Sequence, residues 1–168
     1  MKKPLVFILI LLTLMTLVVV CTQPINAQYQ GNITINADGS ISPSTATIQQ
    51  TSTVYSLISD IAGSITVNTS NIILDGSGHT VLGVSLQGTL NVTVKNFVVT
   101  SQGEAIGMSL SYASNNLIVN NTVTGFESIQ ALNGLLFAGI YVIGGNSNTI
   151  TQNNLMYNLD GMEFINTS

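Results

Sequence analysis

The chain has 168 residues, of which 45% are hydrophobic and only 6% charged, with three basic residues against seven acidic ones and a formal net charge of −4. An ordinary soluble domain carries about 25% charged residues, so solubility here rests on uncharged polar groups, and the lack of Arg and of clustered Lys excludes a phosphate-binding surface for nucleic acid. The polar complement is chiefly Asn, Ser, Thr and Gln. These are mediocre helix formers that suit ladders of stacked side chains, and with the many Val and Ile they favour repetitive β structure.

In chain order, residues 1–27 read as a signal peptide or membrane anchor. Lys2 and Lys3 form a basic start, Pro4 to Val20 are almost unbroken apolar, and Ile25-Asn26-Ala27 offers a small residue for cleavage. The apolar run approaches membrane-spanning length, so two outcomes stay open: a cleaved signal with a mature start near Gln28, or a retained N-terminal apolar helix. Cys21 follows Val18-Val19-Val20 rather than the small residues of a lipoprotein site and reads as an ordinary cysteine of the apolar stretch. Beyond residue 27 there is no cysteine, and Lys95 is the single base against seven carboxylates. A disulfide framework is thereby excluded, and stability must come from stacking.

Residues 28–64 read as an N-terminal cap, with a turn at Asp38-Gly39-Ser40, then Pro43, then a strand-like Thr53-Val54-Tyr55-Ser56-Leu57. A first coil is expected at Ile65-Thr66-Val67, and from there a repeat runs over residues 65–168. A glycine followed by two aliphatic positions with one residue between them recurs as Gly83-Val84-Ser85-Leu86, Gly107-Met108-Ser109-Leu110, Gly139-Ile140-Tyr141-Val142 and Gly161-Met162-Glu163-Phe164. Ten residues after Val84, Met108 and Ile140 stand Val94, Ile118 and Ile150, and Leu74 opens the same phase one turn earlier. Two residues further on come Gly76, Asn96, Asn120 and Gln152, a corner where positive φ is expected and which Gln152 suits least.

The glycines are 24, 32 and 22 residues apart, and the excess falls before the next glycine, so loops extrude there. A coil of about 22 residues with aliphatic alternation and Asn at corners predicts an all-β fold, a right-handed parallel β-helix forming a single-stranded solenoid of about four coils. A helical solenoid fails because no 3.6-period stripe survives the Gly and Asn punctuation, and a propeller lacks its blade period near 40. Ile165-Asn166-Thr167-Ser168 echoes Val67-Asn68-Thr69-Ser70, which runs directly into Asn71-Ile72-Ile73-Leu74. Further coils of the same protein are therefore expected C-terminal to a truncated array.

Several stretches carry a family likeness. Ala37 to Thr45, Gly63 to Val67 and Asn71-Ile72-Ile73-Leu74-Asp75-Gly76-Ser77-Gly78-His79-Thr80 resemble the start of archaeal-type secreted surface proteins with parallel β-helix repeats. Asn91-Val92-Thr93-Val94-Lys95-Asn96 and Asn148-Thr149-Ile150-Thr151 resemble the NosD-like repeat, related to the repeats of the pectate-lyase-like β-helix. The likeness spans about residues 35 to 168 and implies a fold; such repeats serve enzymes, surface layers and adhesins alike. Regular coils, an export segment and the lack of a paired catalytic constellation point instead to an exported cell-surface structural or interaction module. The alternatives the likeness leaves are the N-terminal part of a polysaccharide lyase or glycoside hydrolase, and a NosD-like periplasmic copper-related protein.

The residues themselves offer little chemistry. Glycoside cleavage wants two carboxylates at a fixed separation, or a base with a neutralising cation. Asp75, Glu104, Glu127, Asp160 and Glu163 are scattered over different phases of the repeat, so no catalytic residue is assigned. Met108, Met156, Met162 and His79 are the soft candidate ligands for copper, but Met108 and Met162 occupy the inward aliphatic slot and His79 has no second ligand near it in sequence. No metal site and no cofactor is assigned, and calcium lacks an Asp-rich loop.

A softer prospect is sugar binding. The extruded stretch Asn121 to Ala138 carries Phe126, Glu127, Gln130, Asn133 and Phe137, able to stack on and hydrogen-bond a polysaccharide or cell-surface glycan; the competing reading folds its phenylalanines back over the coil. Asn32, Asn68, Asn91, Asn120 and Asn166 satisfy the N-glycosylation pattern, and modification requires that those side chains face solvent. The expected partners are thus glycans and further coils, with no nucleic acid and with the membrane met only through the N-terminal segment.

Overall fold

The computed structural model describes residues 28–45, 47–127 and 137–167. Residues 1–27, read from sequence as a signal or anchor, lie outside the described residues. Among the described residues no helix is long and apolar enough to cross a membrane.

The chain is all-β. The first strands are β1 (Tyr29–Gln30), β2 (Ile33–Ile35), β3 (Ile41–Ser42), β4 (Ile48–Thr51), β5 (Val54–Leu57) and β6 (Ile61–Ala62). Three circuits of three strands follow. They are β7 (Ser64–Val67), β8 (Ile73–Asp75) and β9 (Thr80–Val81); β10 (Gly83–Gln87), β11 (Thr93–Lys95) and β12 (Val98–Thr100); and β13 (Ile106–Ser111), β14 (Leu117–Val119) and β15 (Thr122–Thr124). The last circuit is β16 (Ala138–Ile143), β17 (Thr149–Thr151) and β18 (Asn154–Met156), after which β19 (Asp160–Ile165) opens another.

Each strand of a circuit joins a different sheet. The seven-stranded sheet runs β19-β16-β13-β10-β7-β2-β3, the six-stranded one β17-β14-β11-β8-β5-β4 and the four-stranded one β18-β15-β12-β9, while β1 pairs with β6. All pairs are parallel except β2 with β3 and β4 with β5. The two antiparallel partners are the outermost strands at the N-terminal side of their sheets, where they cover the edges of β2 and β5.

The register aligns the aliphatics that the repeat singles out. Val84 pairs with Met108, Met108 with Ile140 and Ile140 with Met162, one column across four strands. Leu74, Val94, Ile118 and Ile150 form a second. Both columns begin earlier than the sequence suggests, because Ile33 pairs with Ile65 and Tyr55 with Leu74. Parallel stacking therefore reaches into residues 28–64, and within the expected cap only β3 and β4 depart from it.

Alternation places the apolar residue of each strand inside, so Ile33, Ile65, Leu74, Val94, Val99 and Ile140 are fully buried. Each such side chain contributes roughly 1.5–3 kcal/mol relative to exposure, and neighbours at the next strand spacing fill the layers between them. The corners are left-handed, with φ of 58° at Asn96, 56° at Asn120 and 56° at Gln152, so even the least suited residue adopts the turn. Gly76 does not; Ser77 takes the positive φ, at 52°. Glycine is needed at 76 for room, since a Cβ there would lie 2.6 Å from Cγ of Phe97.

Candidate functional site

Three features combine side chains that sequence separation hides. The most extended is the outward face of the seven-stranded sheet. The residue between the two aliphatics of each strand is Thr34, Thr66, Ser85, Ser109, Tyr141 and finally Glu163, and the register stacks them into one half-buried column. Ser109 Oγ donates to Ser85 Oγ at 2.9 Å. Beside this column lies a shallow depression of about 110 Å³, bounded by Ser64, Gly83, Ile106 and Gly107. Ser85 and Ser109 also line it, and Tyr141 pairs with Ser109 on the next strand, so hydroxyls and an aromatic ring follow one another along the column.

The loop singled out as a ligand site adjoins this face at one end. Ala138 pairs with Ile106, so the loop returns to the sheet at the rim of the depression. Phe126 is fully buried, with its N–H donating to Asn158 Oδ1 at 3.2 Å, so its ring packs inward and is closed to a sugar. Glu127 is exposed and Phe137 half-buried; Gln130 and Asn133 lie outside the described residues.

The second feature is a pair of asparagine ladders at the corners. Asn116 Oδ1 accepts the Val92 N–H at 2.8 Å, and Asn148 Oδ1 accepts the Asn116 N–H at 3.0 Å. Five residues on, Asn121 accepts from Phe97 N–H and Asn153 from Asn121 N–H, each at 3.0 Å. Asn121 Nδ2 donates to Val94 O at 3.1 Å and Asn153 Nδ2 to Ile118 O at 2.8 Å. Every rung reaches back to the preceding circuit and satisfies backbone groups that the corner removes from the sheet. Asn116 and Asn121 are buried and Asn148 and Asn153 half-buried; all four are structural, and the sequence marked the neighbouring exposed corners instead.

The third is a contact between His79 and Asp60. Nδ1 of His79 lies 3.1 Å from Asp60 Oδ1, which also accepts the Thr80 N–H at 2.9 Å, beside a cavity of about 240 Å³ lined in part by Gln28 and Ser59. The two residues are nineteen apart in sequence, which is why the histidine reads as solitary there. The soft candidates do not converge: Met108 is buried, Met162 lies two strands away in the same column, and Met156 belongs to the four-stranded sheet. Among the described residues no group of three His, Cys, Asp or Glu side chains gathers to hold a metal.

The carboxylates are dispersed. Glu163 stands opposite Tyr141 and Asp160 opposite Ala138, while Glu104 accepts the Gln102 N–H at 2.6 Å. Asp75 is the most engaged. Its partial burial pushes its pKa up, but hydrogen bonds from Asn96 Nδ2 and the Ser77 N–H, with Lys95 Nζ at 3.1 Å, outweigh this and hold it below the ordinary carboxylate value. Because the folded value is the lower one, Asp75 stabilises the fold above the unfolded carboxylate pKa near 4, and that contribution disappears as pH falls through the folded value. Urea midpoints measured between pH 6 and 3 should therefore fall less steeply for Asp75→Asn than for the native chain.

All five glycosylation-pattern residues, Asn32, Asn68, Asn91, Asn120 and Asn166, are solvent-exposed. Two are nonetheless engaged: Asn32 Oδ1 accepts the Ser64 N–H at 2.9 Å, and Asn91 Nδ2 donates to Asn71 Oδ1 at 3.1 Å. No protein family, curated protein or solved structure matches the chain, and its chemistry is read from its own geometry.

Proposed function

We propose that the chain is an exported structural and interaction module, a right-handed parallel β-helix whose outward polar column binds glycan and which performs no catalysis itself. The three parallel sheets visited in rotation support the solenoid, and the right hand follows from the strong preference of parallel crossovers for it. The basic start and apolar stretch of residues 1–27 support export, as does a surface whose polarity is amide and hydroxyl rather than charge.

The observation that carries the binding role is the unbroken column Thr66, Ser85, Ser109 and Tyr141 beside the small-residue depression. Hydroxyls repeating at the ordinary strand spacing of about 4.8 Å, with one aromatic ring among them, suit a neutral, extended, hydroxyl-rich chain better than an ion or a compact cofactor. The dispersed carboxylates favour retention over cleavage.

A glycan array probed with the full chain tests this. Binding to neutral polysaccharides is expected, with affinity falling about two- to twelvefold for Tyr141→Ala, in keeping with the ~0.5–1.5 kcal/mol of an aromatic contact. A uniformly blank array would remove the glycan and leave a scaffold. Affinity unchanged in Tyr141→Ala would move binding away from this face.

A further inference from the structure

The outward face of the seven-stranded sheet extends past Ser109 and Tyr141. Two residues further along their strands stand Gln87, Ser111 and Ile143, and beyond these the chain turns at Gly88, Tyr112 and Gly144. The three corners are equivalent. Their N–H groups donate in turn to the carbonyls of Ser111, Ile143 and Ile165 at 2.9, 2.8 and 2.9 Å, and their φ values are 60°, 53° and 61°. Glycine takes this left-handed conformation freely, whereas a bulky residue takes it under strain. Asn and Ser, which tolerate it, fill most of the other non-glycine left-handed positions. Tyrosine is thus the strained choice at 112, and strain that a fold retains points to a use for the side chain.

The ring has both a seat and a bare surface. A Cβ on Gly144 would lie 2.7 Å from Cδ1 and 3.0 Å from Cε1 of Tyr112, so the ring rests against the next circuit at a place that only glycine leaves open. On the other side a Cβ on Gly88 would meet nothing within 4 Å. Tyr112 is 73% exposed although its strand, β13, is flanked by β10 and β16, so the exposure comes from the ring's projection out of the stack.

We propose that Tyr112 is a second sugar-stacking subsite, and that one neutral oligosaccharide lies along the strands with one of its rings on Tyr141 and another on Tyr112. This rests on the glycan reading of the outward face. Tyr141 pairs with Ser109, and Tyr112 follows Ser109 by three residues. Three steps of ~3.3 Å along the strand and one strand spacing of ~4.8 Å across it separate the tyrosines by about 11 Å, too far for a single sugar and within the span of a short chain of them. Ser109, Ser111, Gln87 and Ile143 bound this stretch, and all are uncharged, so hydroxyls and an amide meet the occupant where an ionic partner would find no counter-charge.

Titration calorimetry of the full chain with cellohexaose, mannohexaose and maltohexaose tests this. At least one should bind, at one molecule per chain. Its affinity should fall about two- to twelvefold for Tyr112→Gly, the size of one aromatic contact. Tyr112→Phe should keep the native affinity, because the ring face and not the hydroxyl makes the contact. Tyr112→Gly should also unfold at a urea midpoint no lower than the native one, since it installs the residue of the sister corners. Affinity unchanged in Tyr112→Gly but reduced in Tyr141→Ala would overturn the subsite and leave the glycan face standing, as would two hexaoses bound per chain. A urea midpoint well below the native one would make Tyr112 a packing residue and overturn the subsite as well. No binding of any hexaose to the native chain would overturn the subsite together with the reading it rests on.

Discussion

Gly107→Ala should cost about 3 kcal/mol, whereas Gly161→Ala, at the corresponding position of the same repeat, should be neutral or slightly stabilising. A Cβ on Gly107 would lie 2.6 Å from Cγ1 of Val123, 2.7 Å from the Gly139 carbonyl oxygen and 2.8 Å from Cε2 of Phe126. The carbonyl belongs to the next strand and cannot turn aside as a side chain does, so relief requires β13 and β16 to part. On Gly161 the nearest atom would be Cδ1 of Leu155 at 3.8 Å, an ordinary contact. There the loss of unfolded-state freedom favours alanine by about 0.4–1 kcal/mol. Urea denaturation of the two variants checks the contrast; for a chain of this size 3 kcal/mol lowers Tm by about 6–12 °C. Equal effects at both positions would mean that residue 161 is as tightly enclosed as residue 107.

The second large effect is expected at Asn121. Asn121→Ala removes three hydrogen bonds from a residue only 1% exposed, leaving the Phe97 N–H and the Val94 carbonyl without their partner. An unsatisfied buried group costs about 1–3 kcal/mol, so a loss of about 3 kcal/mol is expected against less than 1 kcal/mol for Asn120→Gly next to it. Asn120 is exposed and needs only its left-handed φ, which glycine supplies without strain. Asn121→Asp separates the roles further. The carboxylate still accepts from Phe97 but repels the Val94 carbonyl, so its folded-state pKa is raised, and the variant should gain stability relative to the native chain as pH falls toward 4. Denaturant midpoints at pH 7 and pH 4 measure this; a deficit independent of pH would show that the ladder acts only through packing.

These two positions mark how far the sequence could be read. The inward columns were legible because burial on stacked strands imposes a period that survives variable loops: Val84, Met108 and Ile140 share a ten-residue spacing to their partners, and each, like Met162, follows a glycine into one column. The turn at Asp38-Gly39-Ser40 was legible too, its Asp38 Oδ1 accepting the Ser40 N–H at 2.9 Å, since an Asx turn is made within a few residues. The early start of stacking was not. Ile33 joins the column thirty-two residues before Ile65, with two antiparallel strands between them that carry no trace of the repeat.

Nor did the proposed glycan face announce itself. The outward column is spelled by one residue per strand, Thr66, Ser85, Ser109 and Tyr141, whose types are common and whose meaning appears only when the register aligns them. The proposed loop looked richer in binding groups, yet Phe126 proves to be core, because the chain must pass inward there before it leaves the sheet.

Composition and periodicity by themselves determined that this protein is β-structured, repetitive, poor in charge and without a cysteine framework, all consequences of residue type and local spacing. Only the tertiary structure decided which of two adjacent asparagines is buried, which of two like glycines is indispensable, and that His79 meets Asp60. Those outcomes depend on what lies one circuit above or below a residue, twenty to thirty-five positions away along the chain, a distance over which local propensity carries no information.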